Sequence, residues 1–128
     1  IMAAGGLNGA AEKVISGGPM MGFAMFTLDV PVTKTSSSIL CLTKDEVAMY
    51  EPSACINCGR CIDACPSRLI PSRLADYAER HDEAAFEKEF GVECMECGSC
   101  SYVCPAKRQL KQAISSMRKT VLANRKKK

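Results

Sequence analysis

Between residues 70 and 123 the hydrophobic positions recur at helical spacing. Ile70, Leu74, Tyr77 and Ala78 fall on one face, and Pro71 suits a first helical turn. Asp82 is placed to cap a second helix, which pairs Phe86 with Phe90 and stops at Gly91. Leu110, Ile114, Met117 and Val121 form one apolar stripe, predicting a helix over roughly 106–123 whose apolar face packs on the body. The first 43 residues read differently. "KVISGG" and "DVPVTKTSSSILCL" hold short β-branched and apolar runs between Gly, Pro and Ser, which predicts short strands and turns. "GGPMMG", residues 17–22, predicts a tight turn between strands. Thr43 followed by Glu46 has the form of a capping box, so a short helix is expected over 44–50, broken by Pro52.

The expected class is therefore α+β: short strands over 1–43, a mainly helical domain over 44–123, and a basic tail at 124–128. The chain has 128 residues and 47% hydrophobic content, enough for a modest core in one ordinary domain. The longest uncharged run, Val14 to Leu28, is interrupted by Gly17, Gly18, Pro19 and Gly22, and falls short of the ~20 residues a membrane span needs. The net charge of +3 hides a split. All 14 acidic residues lie before residue 97, whereas the segment after it is basic throughout, an appendage on an acidic body.

The cysteines change the picture most. There are nine, and eight of them stand in two copies of one phrase, "CINCGRCIDACP" at 55–66 and "CMECGSCSYVCP" at 94–105. No charged-then-apolar segment leads the chain, so clustered cysteines point to metal or redox chemistry ahead of a disulfide framework. Each copy is C-x2-C-x2-C-x3-C-P, the run associated with [4Fe–4S] clusters. Three cysteines three residues apart in a curled loop can each ligate one iron on one side of a cube. The fourth iron needs a thiolate from elsewhere. In two-cluster proteins the fourth cysteine of each run ligates the other cluster. One cluster is then expected on Cys55, Cys58, Cys61 and Cys104, the other on Cys94, Cys97, Cys100 and Cys65. Structural zinc is the competing reading, but zinc takes four ligands, usually as two separated C-x2-C pairs, and these runs overfill that pattern.

Gly59 and Gly98 share a slot in the two phrases and permit close backbone approach to a cluster. Pro66 and Pro105 turn the chain out of each motif. Residues 67–93 have room for two short helices, which predicts a helical cluster domain and not the compact, mainly β small ferredoxin. Cys41, inside "SSSILCL", is expected to be a buried free thiol. His81, between two predicted helices, is expected to be solvated or capping. Arg60, Lys107 and Arg108 flank the first ligand set and Glu93 and Glu96 the second, so charge alone predicts a lower potential for the second cluster.

"VISGGPMMGF", "DVPVTKT" and the two motifs separated by "LIPSRLADYAERHD" resemble the RnfC family of Rnf complexes, over about residues 14–110. These complexes are membrane-bound, ion-translocating ferredoxin:NAD oxidoreductases of bacteria and some archaea. The resemblance implies an electron-transfer subunit, peripheral on the cytoplasmic side of the inner membrane, with the eight motif cysteines as cluster ligands. It also implies that residues 1–43 end a β-grasp (SLBB-like) segment before a ferredoxin-like domain. FMN and NAD(H) belong to an N-terminal part that nothing here matches, so the chain is read as a C-terminal fragment without a catalytic site. Implied partners are the other subunits of the complex, with ferredoxin as a further candidate and anionic lipid for the basic tail. Two alternatives stand beside this reading. One is the cluster module of another oxidoreductase such as a cobalamin reductase. The other is a zinc or cluster-bearing scaffold whose basic end binds nucleic acid, disfavoured because that end lacks interleaved aromatics.

Overall fold

The computed structural model describes residue 6 and residues 9–127. The chain divides into two compact units, Ile1–Tyr50 and Glu51–Lys128. The first is built on a three-stranded antiparallel sheet in the order β2-β1-β3, with β1 (Lys13–Ser16), β2 (Phe23–Met25) and β3 (Ile39–Leu42). Val14 faces Met25 on one side and Cys41 on the other, and Ile15 likewise faces Ala24 and Leu40. Val14 and Ile15 supply the buried apolar side chains of this unit. The strands expected in the two quoted runs are β1 and β3, while β2 comes between them in the chain but at an edge of the sheet. Residues 29–38 take no regular structure. There the Thr33 N–H donates to Ser36 Oγ at 3.1 Å, a local bond that competes with strand pairing.

The expected turn at "GGPMMG" joins β1 to β2. It closes through a bond from the Gly22 N–H to the Gly18 carbonyl at 2.8 Å. A Cβ at Gly22 would stand 2.5 Å from Gly18 O and 2.7 Å from Ser16 O, both backbone atoms that cannot swing away. Gly22→Ala is therefore expected to cost about 1–3 kcal/mol in urea unfolding of this unit; an unchanged midpoint would show that the turn is not held this tightly.

The helix expected at 44–50 is a single 3-10 turn, Glu46–Met49. Asp45, not Thr43, meets an amide of this turn: the Val47 N–H donates to Asp45 Oδ1 at 3.2 Å. Asp45 is itself gripped by Lys13 Nζ at 2.6 Å, which keeps the turn with the sheet. Cys41 is a free thiol, half-buried where full burial was expected.

The second unit holds α1 (Arg60–Asp63), α2 (Pro71–Glu79), α3 (Glu83–Lys88), α4 (Ser99–Tyr102) and α5 (Leu110–Arg125). Its core is the seam between α2 and α5, where Leu74, Ala75 and Ala78 meet Leu110, Ile114, Met117 and Val121, with Phe86 of α3 closing one end. Pro71 opens α2 and the apolar stripe of α5 is buried, as the periodicity predicts. Asp82 caps α3, accepting from the Ala85 N–H at 3.0 Å. Phe90 departs from expectation. The helix ends at Lys88, Phe90 takes a left-handed φ of 59° and its ring is exposed. Gly91 acts as a spacer beside the Phe86 ring, not as the helix stop. His81 is exposed in the α2–α3 turn with φ of 56°.

Helix α5 starts four residues later than predicted, because Pro105 and the left-handed Lys107 (φ 53°) occupy the turn before it. It also runs through the start of the expected tail. Asn124 Nδ2 donates to Glu83 and Arg125 Nε to Glu87 at 2.8 Å, docking this end on α3.

Candidate metal centre: two four-cysteine cavities

The two motifs repeat in backbone as well as in letters. Residues with positive φ recur in register, Asn57 (54°) with Glu96 (57°), Gly59 (76°) with Gly98 (85°), and Arg68 (52°) with Lys107 (53°). Each member is 39 residues on from its counterpart, as Cys94 is from Cys55. The short helices α1 and α4 follow at the same offset and pack on each other, as do α2 and α5. Gly59 and Gly98 each precede their helix in a left-handed turn that a side chain would strain, which curls the loop and turns its cysteines inward.

Two cavities result. One, of about 110 Å³, is lined by Cys55, Cys58, Cys61 and Cys104 together with Arg108. The other, of about 20 Å³, is lined by Cys65, Cys94, Cys97 and Cys100 with Leu69 and Ile114. Each brings together three cysteines of one motif and the last cysteine of the other. A backbone bond secures the exchange: the Ser53 N–H, two residues before Cys55, donates to the carbonyl of Ala106, two residues after Cys104, at 2.9 Å. Among the described residues no three His, Cys, Asp or Glu side chains converge as they would on a single ion. The cysteines line the walls of two mainly apolar spaces, and it is this soft-donor set, not the cavity volume, that suits a four-iron body.

The two sites differ in exposure. Cys55 and Cys58 are exposed, whereas Cys94 and Cys97 are half-buried and Cys100 is buried. Burial pushes the Cys94 thiol up and raises Cys100 to about 11. Cys97 is lowered by a hydrogen bond to Ser99. Backbone amides reach sulfur at the second site: the Leu69 N–H donates to Cys65 Sγ and the Glu96 N–H to Cys94 Sγ, each at 3.4 Å.

Electrostatics beyond the cysteines was largely illegible in the sequence. Arg108 donates to Asp76 at 2.8 Å and Glu79 at 2.9 Å, both on α2. The bond to Asp76, with that to Glu79, holds its pKa above the ordinary value. Glu96 accepts from Ser115 Oγ at 2.7 Å and from Arg118 Nη1 at 3.1 Å. Burial pushes its carboxyl up, but these bonds and the Arg118 and Lys111 charges outweigh burial and hold it below the usual carboxylate range. Glu96 and Arg108, two of the five residues behind the expected order of potentials, are thus both ion-paired, so the charge contrast they contribute is smaller than the sequence suggests. Arg108, Arg118 and Arg125 account for part of the basic C-terminal quarter, since each pairs with acids of the same unit. The sequence marked Glu96 only by its charge; its register with Asn57, where glutamate stands in left-handed backbone in place of a better-suited asparagine, is a signal that the sequence reading passed over.

No helix among the described residues is long and apolar enough to cross a membrane. A family model described as a 4Fe–4S dicluster domain matches residues 44–108. The chain is 46% identical over 123 residues to the C subunit of the Na(+)-translocating ferredoxin:NAD(+) oxidoreductase complex of Acetobacterium woodii, covering 96% of this chain and 28% of that protein. It is 47% identical over 88 residues to the C subunit of the proton-translocating ferredoxin:NAD(+) oxidoreductase complex of Clostridium ljungdahlii, covering 69% and 19%. The C subunit of the ion-translocating oxidoreductase complex of Methanosarcina acetivorans is 40% identical over 114 residues, covering 89% and 26%. The chain spans less than a third of the length of each of these curated relatives.

Proposed function

Because the chain belongs to the 4Fe–4S dicluster domain family, whose model covers residues 44–108 of its 128, we propose that it is the electron-transfer segment of an RnfC-type protein. It would act in a membrane-associated complex that couples electron transfer between ferredoxin and NAD to ion translocation. The observation that carries this is the sorting of eight cysteines into two cavities, each completed by the other motif. Cys55, Cys58, Cys61 and Cys104 hold one cluster; Cys94, Cys97, Cys100 and Cys65 hold the other. When bound, the clusters supply one-electron chemistry. The chain's own residues set how that chemistry is presented. The packing of α1 on α4 fixes the sites side by side, which favours short-range electron exchange because tunnelling falls off steeply with distance. Exposed Cys55 and Cys58 place the first site nearer the surface of the unit.

Similarity to the three C subunits along 69–96% of the chain supports the assignment to that component of the complex. The sodium-named and proton-named relatives match almost equally, at 46% over 123 residues and 47% over 88, so identity does not distinguish between the two ions. The three-stranded sheet is read as the end of a β-grasp (SLBB-like) segment, since it stands directly ahead of the cluster domain. The remaining subunits of the complex are the expected partners, on the cytoplasmic face, with FMN and NAD(H) bound outside this chain.

The test is iron and acid-labile sulfide on anaerobically prepared protein, with EPR of the reduced state. About eight of each per chain and a spin-coupled spectrum are expected for two adjacent [4Fe–4S] clusters. Zinc in place of iron, or one uncoupled cluster, would end the reading.

A further inference from the structure

We infer that Arg118 and Ser115 of α5 are positioning residues for the second cluster, clamping the loop so that the Glu96 N–H is held on Cys94 Sγ. The inference rests on the cluster reading above. Its starting point is the in-register pair Asn57 and Glu96, both in left-handed backbone. Asparagine tolerates that region, and Asn57 sits in an exposed loop. Glutamate has no such tolerance, and a strained residue persists only where its surroundings hold it.

Among the described residues, the side-chain partners that hold Glu96 come from α5. Ser115 Oγ donates to Glu96 Oε2 at 2.7 Å and Arg118 Nη1 to Oε1 at 3.1 Å. Arg118 Nε donates in addition to the Val92 carbonyl at 2.8 Å. One guanidinium thereby grips the chain two residues before Cys94 and two residues after it. Ser115 is the buried polar residue of the described chain, at 6% exposure, and spends its hydroxyl on this contact. The product of the grip is the amide aimed at Cys94 Sγ at 3.4 Å. A hydrogen bond to a cluster thiolate stabilises the more negative, reduced state, so the clamp raises the potential of the second site. It acts in the direction opposite to the bare charge of Glu96.

Two charge-conserving substitutions test this in the anaerobic holoprotein, followed by EPR redox titration. Arg118→Lys keeps the cation but lacks the planar fork that reaches Val92 and Glu96 together. Ser115→Ala removes one bond and no charge. Both are expected to lower the same one of the two midpoint potentials and leave the other in place. Arg125→Lys, on the same helix but paired with Glu87, should move neither. If Arg118→Lys sheds one cluster, with iron falling from about eight to about four, a downward shift in Ser115→Ala still carries the inference, and no shift there overturns it. Wild-type midpoints in Arg118→Lys, both midpoints moving together, or an equal shift in Arg125→Lys would also overturn it. Wild-type protein without iron would instead remove the cluster reading itself, so the two failures are distinguishable.

Discussion

Replacing Cys65 with serine is expected to remove the cluster of the other motif. Cys65 closes the first phrase but lines the second cavity with Cys94, Cys97 and Cys100. Iron and sulfide are expected to fall from about eight to about four per chain, and the spin-coupled EPR signal to collapse to that of a single cluster. The decisive comparison is between variants. Cys65→Ser should match Cys94→Ser in spectrum and midpoint, while Cys104→Ser should match Cys61→Ser. If Cys65→Ser instead matched Cys61→Ser, each motif would be filling its own site and the exchange would be wrong. Cys41→Ser is the control expected to change neither cluster, since Cys41 sits in β3 in the other unit.

Phe86→Ala is expected to destabilise the second unit by about 3–5 kcal/mol, the range for removing a fully buried aromatic ring. Phe86 has no exposed surface and lies against Gly91, where a Cβ would stand 2.4 Å from Cε1 and 2.5 Å from Cζ. Gly91→Ala should therefore also be costly, at about 1–3 kcal/mol for overpacking. The two positions share one space, so their effects should not add: Gly91→Ala in a Phe86→Leu background should cost less than in the wild type. Urea unfolding of the four proteins gives the cycle directly. Strict additivity would mean that the ring and the glycine do not meet. The consequence reaches the clusters, because Gly91 opens the turn that delivers Cys94 to its cavity.

The parts legible in the sequence were those written as local periodicity. The stripe Leu110, Ile114, Met117, Val121 gave α5, Pro71 opened α2, and Asp82 capped α3, because each signal lies within a few residues of its effect. The cysteine spacing made both motifs legible. Phe90 misled, because helical spacing pairs it with Phe86 but carries no warning that the helix ends at Lys88. Thr43 misled likewise: its capping pattern lost to Asp45, which Lys13 holds from more than thirty residues away. The ion pairs of Arg108, Arg118 and Arg125 span 22 to 38 positions in the chain. A segment rich in basic side chains shows that acids elsewhere will be needed, but not which.

The in-register repeat of φ values, short helix and long helix has a consequence for symmetry. Two halves related in this way, each lending its last cysteine to the other, behave as a dimer joined by a linker. A peptide with one motif and its following helix would hold three thiols for one cavity and a fourth for its neighbour's. Such a half is complete only in the company of a second, so a copy of itself meets the need as well as the natural sister does. Duplication of one such half, followed by divergence at positions such as Asn57 and Glu96, would turn a self-pairing peptide into a single chain with two unlike loops.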